Sequence, residues 1–423
     1  MSRIGEISDF LDNHFTEPIR DPLWKHIYFP PCFQGILKSC EFLQLHGIRQ
    51  LGPTYLVYPG ATHSRYNHSL GVFHIAYKMV LGFIKKNRSM DFTLEGVKAF
   101  LLASLLHDLG HYPFAHSLKD IGVRDHEELT SQIILNSSLN KIIEKKCGTN
   151  AAWVAQIVDK SLPAESEEIR FFTKVLSGVL DPDKLDYLNR DAYFCGVPYG
   201  IQDLDHILNE ILPLKNHGIA ITPKGVISVE SLLFSKYLMY KSIYWHKNVR
   251  IATAMIKKAM IESLAQGTIK ADELYGLEDQ GLAALADKRP TPEMALVRDV
   301  FKGRLYNQVF RAAFDSEHEL HTKLEKFDSR SQWENEIFHS LKKSFTWLRK
   351  EMIIVDVPEP ITFETDLMVI DEDHEYPYQK AESMFKGHGS ESFVKNLRFI
   401  ALYAPDNPEL EAKLKGMALE ILD

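Results

Sequence analysis

Apolar residues recur at steps of three and four positions along much of the chain, which is the spacing of helices that bury one face. Four stretches follow this spacing most clearly, and these are residues 70–83, 97–106, 231–265 and 408–422. Polar segments with glycine or proline separate them, and these residues end helices. The pattern predicts a mainly α fold.

Short runs of β-branched and aromatic residues interrupt the helical pattern. Hairpin signals stand at residues 55–60, Tyr-Leu-Val-Tyr-Pro-Gly, and at residues 219–229, where Pro-Lys-Gly separates two short apolar runs. Strand character returns later in the chain, at residues 352–357, 361–370 and 393–403. We expect short hairpins at the edge of a helical core and an α+β region near the C-terminus.

A linker signal divides the chain near residue 290. Residues 287–293, Asp-Lys-Arg-Pro-Thr-Pro-Glu, combine charges with two prolines, and proline pushes the residue before it to extended geometry. We therefore predict a helical catalytic core at residues 1–286 and an accessory α+β region at residues 287–423. Residues 371–390 are polar and predict a loop within that region.

The composition narrows the class of protein. Of the 423 residues, 45% are hydrophobic and 25% are charged, which is typical of a globular protein and excludes a disordered or fibrous one. The net charge of -8 disfavours a generally basic surface for nucleic acids, so a site for anions must be local. No run approaches the roughly 18 apolar residues of a membrane span. Four widely spaced cysteines fit reduced thiols, and we expect a cytoplasmic protein.

Histidines are concentrated in one part of the sequence. Seven of the 18 lie within residues 63–126, and imidazole is the commonest metal-ligating side chain. An apolar helical run ends there abruptly at His107 and Asp108. Adjacent side chains diverge by about 100° on a helix, so both can reach one metal only near their shared edge, with other ligands arriving from elsewhere. His68 and Asp183 are the candidate partners.

Motifs around these residues resemble a known family. They include Arg-Tyr-Asn-His-Ser at residues 65–69, His-Asp-Leu-Gly-His-Tyr-Pro-Phe-Ala-His at residues 107–116, and Asp-Pro-Asp-Lys-Leu-Asp-Tyr at residues 181–187. In order and spacing the chain resembles the HD-domain superfamily, and within it the branch of deoxynucleoside triphosphate triphosphohydrolases. The resemblance covers roughly residues 15–260, and no comparable motif follows residue 290.

The resemblance implies a metal site and a set of catalytic residues. Binding of iron, manganese, nickel or zinc is implied for four residues: His68, His107, Asp108 and Asp183. Contact with the α-phosphate is implied for three histidines: His111, His116 and His126. His116 would donate a proton to the leaving 5′ oxygen, and Asp120 would orient it, although the family's aspartate falls on Lys119.

The resemblance also implies a site for a deoxynucleoside triphosphate with Mg²⁺ on its phosphates. The residues implied for the triphosphate are Arg65, Lys184, Tyr187 and Lys236. Those implied for the sugar and base are Asp191, Tyr244, Gln50 and Leu51. The expected reaction is attack of metal-activated water on the α-phosphorus, which releases the deoxynucleoside and inorganic triphosphate. The family further implies a homo-oligomer, either a dimer or a tetramer.

Other interpretations stay open. An HD-type phosphodiesterase or nucleotidase would use the same metal chemistry on another phosphate ester, although the GYP signature of cyclic-dinucleotide phosphodiesterases is absent after the HD motif. A non-catalytic nucleotide sensor or nucleic-acid-binding protein is the third interpretation, and the complete set of four ligands argues against it. In the plainest interpretation, Arg65, Lys184 and Asp191 form surface ion pairs, and Tyr187 and Tyr244 are core aromatics.

Overall fold

The computed structural model describes residues 3–86, 90–372, 374–383 and 397–422, with the side chains of residues 117, 119, 120 and 420–422 left out. The fold is mainly α, as predicted. The first helices are α1 (Arg3–Asn13), α2 (Gln34–Leu37), α3 (Cys40–Leu43), α4 (Arg65–Lys85), α5 (Leu94–Leu106), α6 (His126–Asn136), α7 (Ser138–Ile142), α8 (Ala151–Val158), α9 (Glu167–Leu176), α10 (Pro182–Cys195) and α11 (Leu204–Glu210). The later helices are α12 (Val226–Met239), α13 (Lys247–Ala265), α14 (Asp279–Lys288), α15 (Pro292–Phe301), α16 (Glu319–Leu324), α17 (Phe327–Leu341) and α18 (Pro408–Leu422).

Helices α4, α5 and α10 carry most of the histidines and aspartates singled out above. The side chain of Ser64 caps α4 by accepting a backbone N–H of its first turn, and Asp181 caps α10 in the same way. Such caps satisfy N–H groups that have no partner within the helix. The caps fix the first turns of both helices, where His68 and Asp183 stand.

Helix α5 is the apolar centre of the N-terminal part. Its residues from Val97 to Leu106 are buried apart from Lys98, and it packs against α4 and α8. The helix ends at Leu106, so the apolar run terminates directly before His107, as the sequence predicts. Across the described residues, every helix is too short or too polar to span a bilayer.

The described strands form three small sheets. They are β1 (Glu17–Asp21), β2 (Lys25–Phe29), β3 (Ile211–Leu214), β4 (Gly218–Ile221), β5 (Asn307–Ala313), β6 (Ile354–Asp356), β7 (Met368–Asp371), β8 (His374–Pro377) and β9 (Phe399–Ala404). Strands β1 and β2 form an antiparallel hairpin, and β9 lies between β5 and β6. In the order β3-β4-β7-β8, β7 runs parallel to β4 with Ala220 opposite Met368. This pairing brings residues near 370 back to the N-terminal helices.

The buried apolar side chains form three clusters. The first surrounds α4, α5 and α8 to α10 and also takes in Leu367 and Val369. The second lies among α13, α14, α15 and β9, and the third among α17, α18 and the sheet of β5, β9 and β6. Helices α14 and α15, on the two sides of residue 290, share the second cluster. The division at residue 286 stays a prediction.

The hairpin expected at residues 55–60 is wrong. A 3₁₀ helix covers Gly52–Leu56, and no described strand includes this stretch. The backbone N–H groups of Val57 and Tyr58 both bond to the carbonyl of Thr54. Local turns therefore take the backbone groups that a hairpin would need.

The hairpin expected at residues 219–229 has a different partner. Strand β4 pairs with β3, and residues 226–229 begin α12 instead of a strand. A 3₁₀ turn at Pro223–Gly225 leads directly into this helix. Val229, Leu232 and Leu233 are buried there at helical spacing, so the apolar pattern belongs to a helix.

The remaining strand expectations are confirmed in part. Strand β6 lies within the expected stretch 352–357, and β7 covers only the end of the stretch 361–370. Strand β9 covers the end of the stretch 393–403, whose first residues, 393–396, lie outside the described part. The long helical stretch 231–265 is broken by a π-helix at Tyr240–Tyr244. The expected loop 371–390 contains β8 in its described part.

Candidate active site

The His-Asp pair at the end of α5 forms one side of a cluster of metal-binding groups. Nδ1 of His107 lies 3.0 Å from the carbonyl oxygen of Ser104, which only accepts, so Nδ1 carries the proton. Nε2 of the same ring lies 3.3 Å from Oδ1 of Asp108. This nitrogen is buried and has no hydrogen-bond partner among the described residues. A ring nitrogen held in this way is suited to bind a cation.

Helices α4 and α10 bring the other two predicted ligands to this pair. Nε2 of His68 lies 2.9 Å from Oδ1 of Asp183 and 4.0 Å from Oδ2 of Asp108. Oδ1 of Asp183 lies 3.9 Å from Nε2 of His107. Ligand atoms of His68, His107 and Asp183 all lie within 4.8 Å of one another. The four residues therefore converge, and two imidazoles with two carboxylates are a donor set for a transition metal.

A second layer of buried charges lies behind His68. Nδ1 of His68 is 2.9 Å from Oδ2 of Asp186, and the guanidinium of Arg190 bonds both oxygens of Asp186. Trp24 donates its indole N–H to the same carboxylate. A carboxylate on the far nitrogen of a ligating histidine fixes the orientation and tautomer of the ring. Asp186 therefore holds His68 with Nε2 toward Asp183.

The sequence analysis missed this second layer. Asp186 stands three residues after Asp183 and so lies on the same side of α10, which is the signal that could have found it. Gly71 of α4 leaves room for it, since a Cβ there would lie 1.9 Å from Oδ1 of Asp186. Asp21 and Trp24 approach from the first hairpin, and no local pattern points to them.

Burial and charge shift the pKa values within the cluster. Burial acts to raise the pKa of Asp183, but the hydrogen bond and charge of His68 outweigh it and lower the pKa to about 2. Burial acts to lower the pKa of His68, and Asp183 with Asp186 raises it to about 10. For Asp108, burial is outweighed by neighbouring imidazoles and Arg65, so its pKa lies well below the usual range. Both carboxylates are anionic at neutral pH, as metal ligation requires.

The three histidines implied for the α-phosphate form a second cluster beside the first. Nδ1 of His111 lies 3.1 Å from Oδ1 of Asp108, and its Nε2 lies 3.1 Å from Nε2 of His116. The ring centre of His126 is 4.0 Å from that of His111. Burial and the charge of Arg65 hold the pKa of His111 well below its usual range, so this ring is neutral at neutral pH. The side chain of Asp120 lies outside the described residues.

A cavity of about 680 Å³ opens in front of both clusters, with His116 and His126 on its wall. The residues implied for nucleotide contacts that also line it are Gln50, Leu51, Arg65, Tyr187, Asp191 and Tyr244. The hydroxyl of Tyr244 donates to Oδ2 of Asp191 at 2.7 Å, and Nε2 of His63 lies 2.8 Å from Oδ1. One cavity thus joins the metal-binding cluster, the histidines and these polar groups.

Lys184 and Lys236 are placed differently from the other residues implied for substrate. Nζ of Lys184 lies 3.0 Å from Oε2 of Glu364, and Nζ of Lys236 donates to the carbonyl of Thr362 at 2.8 Å. Neither is among the described residues that line the cavity. Both acceptors belong to the irregular segment 357–367. The ammonium groups of Lys184 and Lys236 are therefore both bound by acceptors from the segment 357–367.

Family models place the chain among known proteins. Residues 65–164 match the HD domain, and residues 203–421, more than half of the chain, match the HD associated region. The chain belongs to the HD-domain family. HD domains bind divalent metals, and the clustered residues His68, His107 and Asp183 of this chain can hold one.

Relatives of this HD-domain protein include both uncharacterised proteins and a named enzyme. A protein of Methanocaldococcus jannaschii, described as uncharacterised, is 36% identical over 269 residues, 63% of this chain and 54% of the relative. The SAMHD1 homolog of Dictyostelium discoideum, by name a deoxynucleoside triphosphate triphosphohydrolase, is 26% identical over 281 residues, 64% of this chain and 53% of the relative. The chain spans about half the length of these relatives.

A solved structure supports the fold. The crystal structure of a hypothetical protein from Aquifex aeolicus matches with a TM-score of 0.72, and the match covers 94% of this chain and 98% of the other. The two sequences are 23% identical. The similarity extends beyond the HD domain to the C-terminal region, so the overall arrangement is shared.

Proposed function

We propose that this protein is a metal-dependent phosphohydrolase that cleaves deoxynucleoside triphosphates into the deoxynucleoside and inorganic triphosphate. The observation that carries the proposal is the convergence of two histidines and two aspartates in one cavity, directly beside three further histidines. Membership of the HD-domain family and the relative named as a triphosphohydrolase support it.

The residues of the first cluster fit a transition metal. Its ligands would be His68, His107, Asp108 and Asp183, and the buried Nε2 of His107 has no hydrogen-bond partner in the described part of the chain. Two imidazoles and two carboxylates suit iron, manganese, nickel or zinc. Such an ion, when bound, lowers the pKa of a coordinated water so that hydroxide forms near neutral pH.

The second cluster is suited to protonate a leaving group. Buried His111 connects Asp108 to His116 through contacts of 3.1 Å on each side of its ring. This arrangement would orient His116, which faces the cavity, to donate its proton to the 5′ oxygen as the bond to the α-phosphorus breaks. His126, packed against His111, would contact the same phosphate. Arg65 lines the cavity, donates Nη1–H to Oδ2 of Asp108 at 2.7 Å, and would neutralise a phosphate oxygen with the rest of its guanidinium.

The sugar and base of the nucleotide would contact Asp191, Tyr244, Gln50 and Leu51. The hydrogen bond between Tyr244 and Asp191 fixes both groups at the cavity wall. Oε1 of Gln50 is buried and has no partner among the described residues, so it can accept a hydrogen bond from a ligand. These contacts would position the sugar and base while the phosphates face the histidines.

The phosphate chain, with Mg²⁺, would contact Arg65 and Tyr187 on the cavity wall. Lys184 can join only if it exchanges Glu364 for phosphate oxygens while it stays paired with Asp181 at 2.5 Å. Lys236 can join only if it exchanges the carbonyl of Thr362 in the same way. Such an exchange replaces one charged acceptor by another and so leaves the ammonium of Lys184 paired. As part of the same proposal, the protein assembles as a homo-oligomer.

A substrate panel tests the proposed function. Metal-loaded protein is incubated with the four deoxynucleoside triphosphates, the ribonucleoside triphosphates and a generic phosphodiester, beside the Asp183→Asn variant. We expect the wild type to hydrolyse the deoxynucleoside triphosphates, and we expect no hydrolysis of them by the Asp183→Asn variant. Hydrolysis of the phosphodiester alone would favour the phosphodiesterase interpretation. Nucleotide binding without any turnover would favour the sensor interpretation, and either result would overturn the proposal.

A further inference from the structure

Arg330 is a buried arginine on the wall of the active-site cavity. It belongs to α17 in the C-terminal region, and only 7% of its surface is exposed. Its Nε has no hydrogen-bond partner, and within the described residues its guanidinium forms no ion pair. Its guanidinium lies over the ring face of Phe327, 5.9 Å from the ring centre. Among the described residues this buried cation thus forms no ion pair, although its charge acts to lower the pKa of Glu334.

The other two buried arginines in the described part of the chain are paired. Arg190 binds two aspartates, and Nη1 of Arg65 lies 2.7 Å from Oδ2 of Asp108. The carboxylate one turn after Arg330 on the same helix, Glu334, is held by Lys258 at 2.6 Å. Burial of a charge without a partner is costly. The exception at Arg330 is explained if an anion enters the cavity and supplies the partner.

The cavity wall carries other charged groups from the C-terminal half of the chain. Among the described cavity-lining residues after position 245, the cations are Arg250, Lys257 and Arg330, and the anions are Asp356 and Glu359. Arg250 forms an ion pair with Asp356, and Nζ of Lys257 lies 3.8 Å from Oε1 of Glu359. Each of these two carboxylates therefore faces a cation of α13.

We propose that Arg330 forms a second anion site in the active-site cavity and binds a phosphate group. The inference rests on the proposed function, because it assigns part of a phosphorylated substrate to this wall. The planar guanidinium pairs with two phosphate oxygens at once. The phosphate belongs either to the distal part of the substrate's triphosphate or to a separate phosphorylated ligand. The site gives the C-terminal region a direct role in binding.

Titration calorimetry with inorganic triphosphate tests the site without requiring turnover. The proteins are the full-length, metal-loaded wild type, Arg330→Met, and Arg304→Met as the control, because Arg304 is 65% exposed in the same region. We expect the Arg330→Met variant to bind triphosphate about tenfold more weakly or worse, since it loses a charge-assisted contact. The control should match the wild type. Equal affinity of Arg330→Met and the wild type would overturn the proposal.

Thermal unfolding without ligand separates a binding role from a structural one. If the role of Arg330 is to bind an anion, the Arg330→Met variant without ligand should melt at the same temperature as the wild type or at a higher one. The reason is that methionine has a similar length and removes an unpaired buried charge. A clear loss of stability in Arg330→Met would contradict the proposal, since it would show that the guanidinium already has stabilising partners. The Arg330→Lys variant should retain part of the triphosphate affinity.

Two further measurements identify the source of the phosphate and separate this inference from the proposed function. If the site holds the substrate's own phosphates, inorganic triphosphate should compete with the deoxynucleoside triphosphate, and Arg330→Met should raise KM. Non-competitive behaviour would assign the site to a separate ligand and overturn its place in the substrate site. The Asp183→Asn variant is inactive under the proposed function but should still show the Arg330-dependent binding of triphosphate. Failure of the anion site can therefore be told apart from failure of the proposed function.

Discussion

Nδ1 of His68 lies 2.9 Å from Oδ2 of Asp186, on the side of the ring opposite Asp183. Because the carboxylate fixes the ring, we predict that Asp186→Asn weakens metal binding by about 10- to 100-fold. Chelator competition measures this affinity, and Asp205→Asn, at an exposed position, is the matched control. Unchanged affinity in Asp186→Asn would show that the contact does not support the metal site.

The ligand assignment predicts loss of the metal itself. His107→Ala removes the imidazole whose buried Nε2 has no partner in the described part of the chain, so bound metal and activity should both disappear. Elemental analysis of purified protein measures the metal content, and His217→Ala, at an exposed turn, should keep it. Full occupancy in His107→Ala would refute the assignment.

His116 should be needed for turnover but not for metal. We expect His116→Ala to retain the metal and to hydrolyse substrate about 10²- to 10⁴-fold more slowly, the range for a lost general acid. Steady-state kinetics and elemental analysis on the same preparation check both parts. Normal kcat would remove His116 from proton donation, and loss of metal would move it into the ligand set.

The stability of the fold should depend on pH through His74. Burial and the charge of Lys78 lower its pKa to about 4, and the opposing carboxylates of Asp186 and Asp21 do not compensate. The folded state therefore keeps the ring neutral while the unfolded chain binds a proton near pH 6.5. The contribution of the neutral His74 ring to the free energy of unfolding is complete above that pH. It is lost as the pH falls toward 4, which lowers the free energy of unfolding by up to about 3 kcal/mol.

Denaturant unfolding at several pH values measures this effect. The His74→Phe variant keeps a ring against Trp24, whose centre lies 6.1 Å from that of His74, but cannot be protonated. Its free energy of unfolding should fall less steeply than that of the wild type between pH 6.5 and pH 4. Identical slopes would rule out a role for His74.

The sequence alone predicts the core of the fold and of the site, because both depend on short-range patterns. The apolar run of α5 ends at His107, and the capped starts of α4 and α10 carry His68 and Asp183, so local signals locate the helix ends where these groups stand. Convergence of the three helices depends on packing. The sequence offers His68 and Asp183 as candidate partners of the His-Asp pair, and the family resemblance implies that all four residues bind one metal.

Other features depend on contacts between distant segments, which no local pattern contains. Lys184 and Lys236 meet Glu364 and Thr362 more than 120 positions later in the chain. Arg330 reaches the cavity from a helix without any motif. The hairpin expected at residues 55–60 has strand-forming residues, but the carbonyl of Thr54 takes the N–H groups that follow, and a local turn forms instead.

The most direct test of the central claim is the identity of the phosphate product. Metal-loaded protein is incubated with a single deoxynucleoside triphosphate, and the products are separated by ion-exchange chromatography beside a His107→Ala control. Attack at the α-phosphorus with protonation of the 5′ oxygen predicts equal amounts of deoxynucleoside and intact inorganic triphosphate, with neither formed by the control. A nucleoside monophosphate or diphosphate as the primary product would contradict the account.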